Sequence, residues 1–429
     1  MSESVLAGTA IRLYQFDSGL RLLCDPIPGS KSFALTAIIH GGTRFETEVQ
    51  SGWAHLLEHM VFKGAGTRNA RELAEVIEHQ GGTINASTGY EHTRFEVRGL
   101  NHLLPLALEV VTDLMFRPLM VPEELKREKL VVGQEISEAF DTPDDHVFDM
   151  LQRSSFAEQS LGRPILGTVK SLKPVDVKSL RDFAQSLYAP QNMVLCVSGG
   201  IDPDAAYQAL VKVLDGVEPA GVTTTPERAQ FTRQHSHLTR RIEQVNLALA
   251  FEGVSRFDDD LFATRLFCEI LGGGMASRLF QSAREARGLA YTIDAWSTQY
   301  RDTGVVGVYA GCLPADLEPL CELIGVTLRE LAESPLEREL ERAKAQFKTS
   351  LYLNDENPAM RAGAYASQLL TNGRLFGIDE QARELDLVTL DDLSRVGTTL
   401  SRQKGCASAI LGPRLKTDPA PVIHQVFAA

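Results

Sequence analysis

Long apolar runs are missing from these 429 residues, and no stretch is long enough to span a bilayer. Positive charge is in deficit: 43 Lys and Arg stand against 56 Asp and Glu, a formal net charge of −13. That balance argues against general nucleic-acid binding and favours solubility. Cysteine is scarce. The six present (Cys24, Cys196, Cys268, Cys312, Cys321, Cys406) are scattered, form no Cys-x-x-Cys pair, and are poor candidates for zinc ligands. They read as small buried apolar residues in a reducing compartment. The opening Met1-Ser2-Glu3-Ser4-Val5-Leu6-Ala7 lacks the basic region and apolar stretch of a secretory signal, and the Arg-rich character of a transit peptide. A cytoplasmic location is therefore the expectation.

Histidine is also uncommon, at 10 residues, yet two fall one helical turn apart in Trp53-Ala54-His55-Leu56-Leu57-Glu58-His59-Met60-Val61-Phe62. This stretch has good helix formers and no Gly or Pro. At about 100° per residue, His55 and His59 stack on one face with Glu58 beside them. Two imidazoles so placed reach one ion, and an adjacent carboxylate can take a proton from water. His-x-x-Glu-His is the order of inverted-motif zinc proteases. A third protein ligand is needed. The helix opening at Pro122-Glu123-Glu124 offers Glu128, Glu135 and Glu138. Glu128 and Glu135, seven apart, share a face, but spacing alone does not choose among the three.

At this length more than one domain is expected. Residues 216–240 have no periodicity and many turn formers, and read as a linker between a domain over 1–215 and another over 241–429. The second half repeats the first. Ala34 to Ile39 has its counterpart in Asn246 to Phe251, and Lys178 to Gly199 lies without gaps on Asp391 to Gly412, at offsets of 212 and 213 residues. The fold class expected is α+β: two homologous domains, each a mainly antiparallel sheet packed with helices. Under that offset the metal helix falls near Phe267 to Leu271, where no histidine survives. Further local expectations are a helix from Thr67 to Glu78 and a flexible loop at Gly272-Gly273-Gly274-Met275.

Beyond His55-x-x-Glu58-His59, further stretches carry a resemblance: Gly81-Gly82-Thr83-Ile84-Asn85-Ala86-Ser87-Thr88, Glu128-Lys129-Leu130-Val131-Val132-Gly133-Gln134-Glu135-Ile136, Gly162-Arg163-Pro164-Ile165-Leu166-Gly167, Ser277-Arg278-Leu279-Phe280 and Arg284-Glu285-Ala286-Arg287-Gly288-Leu289-Ala290-Tyr291. The chain resembles the pitrilysin/insulinase family of zinc peptidases, in its short two-domain branch with mitochondrial processing peptidase and bacterial relatives. The resemblance implies one Zn²⁺ per chain on His55, His59 and Glu135, with Glu128 supporting the site and Glu58 as general base. It further implies that Arg284 and Tyr291 bind substrate and steady the oxyanion from the second domain. Substrate would add as a strand at Asn85 and Ala86. The expected activity is endopeptidase cleavage of peptides or unfolded segments inside a dimeric chamber. A homodimer is the economical assembly, a heterodimer with a related subunit the other. The alternative reading is a noncatalytic core or assembly subunit of the same family.

Overall fold

The computed structural model describes residues 2–5, 10–217 and 225–427. It forms two compact units. The first gathers Met1–Ile136, Pro164–Pro226 and Tyr352–Gly377; the second gathers Ser137–Arg163, Glu227–Leu351 and Ile378–Ala429. Residues 137–163 and 352–377 therefore belong to the other unit from the one that a single division at 216–240 assigns. The middle of that expected linker, 218–224, lies outside the described residues.

The sheet of the first unit is built from β1 (Ser2–Val5), β2 (Arg12–Gln15), β3 (Arg21–Pro26), β4 (Ser32–His40), β7 (Thr83–Thr88), β8 (His92–Leu100) and β9 (Met193–Gly199), while β5 (Gly64–Ala65) and β6 (Arg68–Asn69) pair separately. Its order is β1-β2-β3-β9-β4-β8-β7, and only β3 and β9 run parallel. Strand β9 is buried along its whole length. Such a strand needs cover on both faces, which is why it reads as an unbroken apolar run. One face packs on the main core, with α1 (Trp53–Val61), α2 (Ala70–Glu78) and α3 (Leu104–Phe116). The other is covered by the distant helix Pro358–Asn372. Its Ala359, Ala362 and Ala366 lie in one cluster with Ile38, Val194 and Cys196. Arg361 clamps this helix down with two bonds, of 2.7 and 2.8 Å, to the buried Asp25. A sheet with two apolar faces recruits its second cover from the other half of the chain, and that defeats a division by sequence position.

The second unit repeats the plan. Strands β10 (His235–Thr239), β11 (Val245–Gly253), β12 (Thr292–Gln299), β13 (Gly304–Cys312) and β14 (Ala407–Gly412) take the order β10-β14-β11-β13-β12. The parallel pair, β10 with β14, occupies the place of β3 with β9. A helix from the first half, α5 (Pro143–Ser155), which follows α4 (Pro122–Asp141), packs on β14 and β11. The duplication extends to single bonds. Lys129 on α4 donates to the carbonyls of Lys173 and Val175. Lys344, on the helix Glu337–Asp355, donates to those of Asp386 and Val388.

Two local expectations shift. The α2 helix starts at Ala70, not Thr67. Asn69 and Glu72 form a reciprocal cap, and the residues before it turn through Gly66 into the β5–β6 pair. Gly272 belongs to the helix Leu261–Gly272, not to a loop. A Cβ there would sit 2.5 Å from the backbone nitrogen of Ala295, so close packing fixes this glycine. All six cysteines are buried and free. Among the described residues no helix is long and apolar enough to cross a membrane.

Candidate metal centre

Helix α1 sinks Trp53, Ala54, Leu56, Leu57, Met60 and Val61 into the core. His55, Glu58 and His59 are left on the remaining face, half-buried. The helix begins at Gly52, which has a left-handed backbone (φ +87) and no side chain to cap with. Glu46 caps in its place. Its buried carboxylate accepts the N–H of Gly52 at 2.9 Å and of Ala54 at 2.7 Å, and its charge sits at the positive end of the helix. The indole of Trp53 donates to the carbonyl of Ser171 at 3.3 Å. The helix is thus held at its start before any ligand is considered.

Helix α4 brings the acids. Glu135 Oε2 lies 3.8 Å from His55 Nε2 and 3.5 Å from His59 Nε2. These three side chains form the metal-capable cluster among the described residues, with ligand atoms within 4.8 Å of one another. Ligands at about 2.1 Å from a tetrahedral Zn²⁺ stand about 3.4 Å apart, so the spacing fits. Glu135 Oε2 is buried yet has no hydrogen-bond partner, and so is His55 Nδ1. A buried carboxylate oxygen that bonds nothing is costly. One that faces two imidazole nitrogens is placed where it could hold a cation. Glu138, the third acid weighed from the sequence, is outside the cluster.

Glu128 occupies a supporting position. It is 4% exposed, and its Oε2 lies 3.0 Å from His59 Nδ1. With Nδ1–H donating there, Nε2 carries the lone pair toward Glu135. Burial, and next the neighbouring His59, push His55 down from 6.5 to about 4, so it is neutral and free to ligate near neutral pH. Burial raises Glu58 above the ordinary carboxylate value, while a hydrogen bond from Thr88 pulls the other way. That bond, from Thr88 Oγ1 to Glu58 Oε2, is 2.5 Å long.

The sequence pattern does not single out Thr88 for this contact, nor Glu46 at all. Each acts through a tertiary contact with no fixed spacing. Asn85 and Ala86 lie on β7, the terminal strand of the sheet, with Asn85 exposed and Ala86 half-buried. Arg284 and Tyr291 belong to the second unit. There the Arg284 guanidinium lies 4.7 Å from the ring centre of Phe280 and 5.5 Å from that of Tyr291, which is 73% exposed.

Comparison with known proteins places the chain in a family. The family model described as "Insulinase (Peptidase family M16)" matches residues 25–169, and that described as "Peptidase M16 inactive domain" matches 174–347. A Bacillus subtilis (strain 168) protein named as an uncharacterized zinc protease is 34% identical, over 94% of this chain and 98% of its own. One from Streptomyces coelicolor, similarly named, is 30% identical over 97% of this chain and 93% of its own. A solved protease structure from Helicobacter pylori matches with a TM-score of 0.89 at 21% identity, covering 94% of this chain and 100% of that one. At that identity the likeness is one of fold.

Proposed function

The chain belongs to the insulinase family of peptidases, M16, and from that premise we propose that it is a zinc-dependent endopeptidase acting on peptides or unfolded polypeptide segments. The observation that carries this reading is the unpartnered Glu135 oxygen facing the Nε2 atoms of His55 and His59. Those three residues would hold the ion, which when bound supplies Lewis-acid polarisation and acidified water. The names of the relatives point to zinc among divalent metals.

The chain's own residues do the rest. Glu58, with its raised proton affinity, accepts the proton of the attacking water and returns it to the leaving amine. Thr88 orients that carboxylate by binding one of its oxygens. Strand β7 offers backbone groups at Asn85 and Ala86 to an extended peptide, which gives affinity with little demand on side chains. In the dimer we infer, the partner's Arg284 and Tyr291 complete the site, binding substrate carbonyls and the developing oxyanion.

Glu58→Gln tests the assignment. It should keep its metal and lose about a hundredfold to ten-thousandfold in peptide cleavage. Undiminished turnover by the metal-loaded variant would remove Glu58 as the base.

A further inference from the structure

Lys63 stands in the turn just beyond α1, four residues after His59. Its Nζ lies 3.0 Å from Glu128 Oε1. The other oxygen of the same carboxylate, Oε2, lies 3.0 Å from His59 Nδ1. Both oxygens of one buried acid are thus spoken for, one by the metal-facing histidine and one by a lysine. The Lys63 side chain is 31% exposed, against 5% for Glu128, so the cation reaches inward from the protein's edge.

We propose that Lys63 is a positioning residue: by holding Glu128 Oε1 it fixes the carboxylate that orients His59, and so sets the metal affinity of the site. The inference rests on the metal-binding reading above. A carboxylate this buried is costly without charge and hydrogen-bond compensation. With one oxygen free it can turn about its terminal bond, or swing toward water, and His59 then loses a fixed acceptor. With Lys63 in place the plane is pinned at both ends. His59 keeps Nδ1–H on Glu128, and its Nε2 lone pair points toward Glu135 Oε2, 3.5 Å away. A cation just past the C-terminal end of α1 also suits the helix dipole. The contact runs from the end of one ligand-bearing helix to a residue of the other.

Zinc affinity, measured by competition with a chromogenic chelator, tests this on wild type, Lys63→Met, Lys63→Arg, Glu128→Gln and the double variant Lys63→Met/Glu128→Gln. Loss of a supporting contact of this kind weakens binding about tenfold to a hundredfold. Lys63→Met should fall in that range, and Lys63→Arg should recover most of the loss. The double variant should bind no worse than Glu128→Gln alone, because Lys63 acts only through Glu128. Nitrogen NMR of metal-free protein gives a second readout: His59 should be the Nδ1–H tautomer in wild type and a mixture in Lys63→Met. Should Lys63→Met fail to fold, Lys63→Ala, which likewise offers Glu128 Oε1 no donor, carries the same comparison. Zinc-binding wild type with an undiminished Lys63 variant, or losses that multiply in the double variant, would overturn the inference alone. A wild-type chain that binds no zinc would bring down the metal-site reading as well.

Discussion

Burial keeps the imidazole of His55 neutral. Its side chain is 14% exposed, and its value sits at about 4 against an ordinary 6.5. In metal-free protein the unfolded state therefore binds the extra proton first. Stability from this residue is fully present above about pH 6.5 and is lost as pH falls toward 4. The full effect is up to about 3 kcal/mol. Urea unfolding of the metal-stripped chain should show this loss across that window, and His55→Gln should flatten it. An equal slope in both proteins would mean that His55 is not the group responsible. The residue scale was also where sequence was most telling. His55, Glu58 and His59 share a face by helical periodicity alone. Thr88 and Lys63 reach the same site across contacts that no spacing rule encodes.

At the scale of elements, two helices must hold a common register. Helix α1 is fixed at its start by Glu46, and α4 is pinned by Lys129 to the carbonyls of Lys173 and Val175. The second unit contains its own control. Lys344 makes the equivalent pair of bonds, but its helix carries no ligand. Lys129→Met and Lys344→Met should each cost about 1 to 2 kcal/mol in urea unfolding. Only Lys129→Met should also weaken zinc binding, since only α4 presents Glu135. Equal zinc affinities in the two variants would show that the lysine tie does not govern the site. The strands and helices themselves were legible from alternation and caps. The late start of α2 was not, because the Asn69–Glu72 cap outcompetes the helical pattern before it.

Across the whole molecule, the duplication was visible in sequence while the exchange of segments was not. Residues 137–163 and 352–377 look like ordinary helices of their own halves, and only the second faces of the two sheets reveal their destinations. The dimer proposed above pairs the Arg284–Tyr291 pair of one chain with the metal site of the other, and mixed variants test it. An inactive Glu58→Gln chain mixed with an inactive Tyr291→Phe chain should regain about a quarter of wild-type activity, as expected if random half-and-half pairing leaves one intact shared site in half of the dimers. No rescue in demonstrated mixed dimers would confine each site to one chain.

Metal analysis of the purified chain beside a folded Glu135→Ala variant decides whether His55, His59 and Glu135 hold an ion. About one zinc per wild-type chain and a large loss in the variant are expected. A wild-type chain without zinc, or a variant that keeps it, would contradict the site built here and leave a duplicated scaffold in its place.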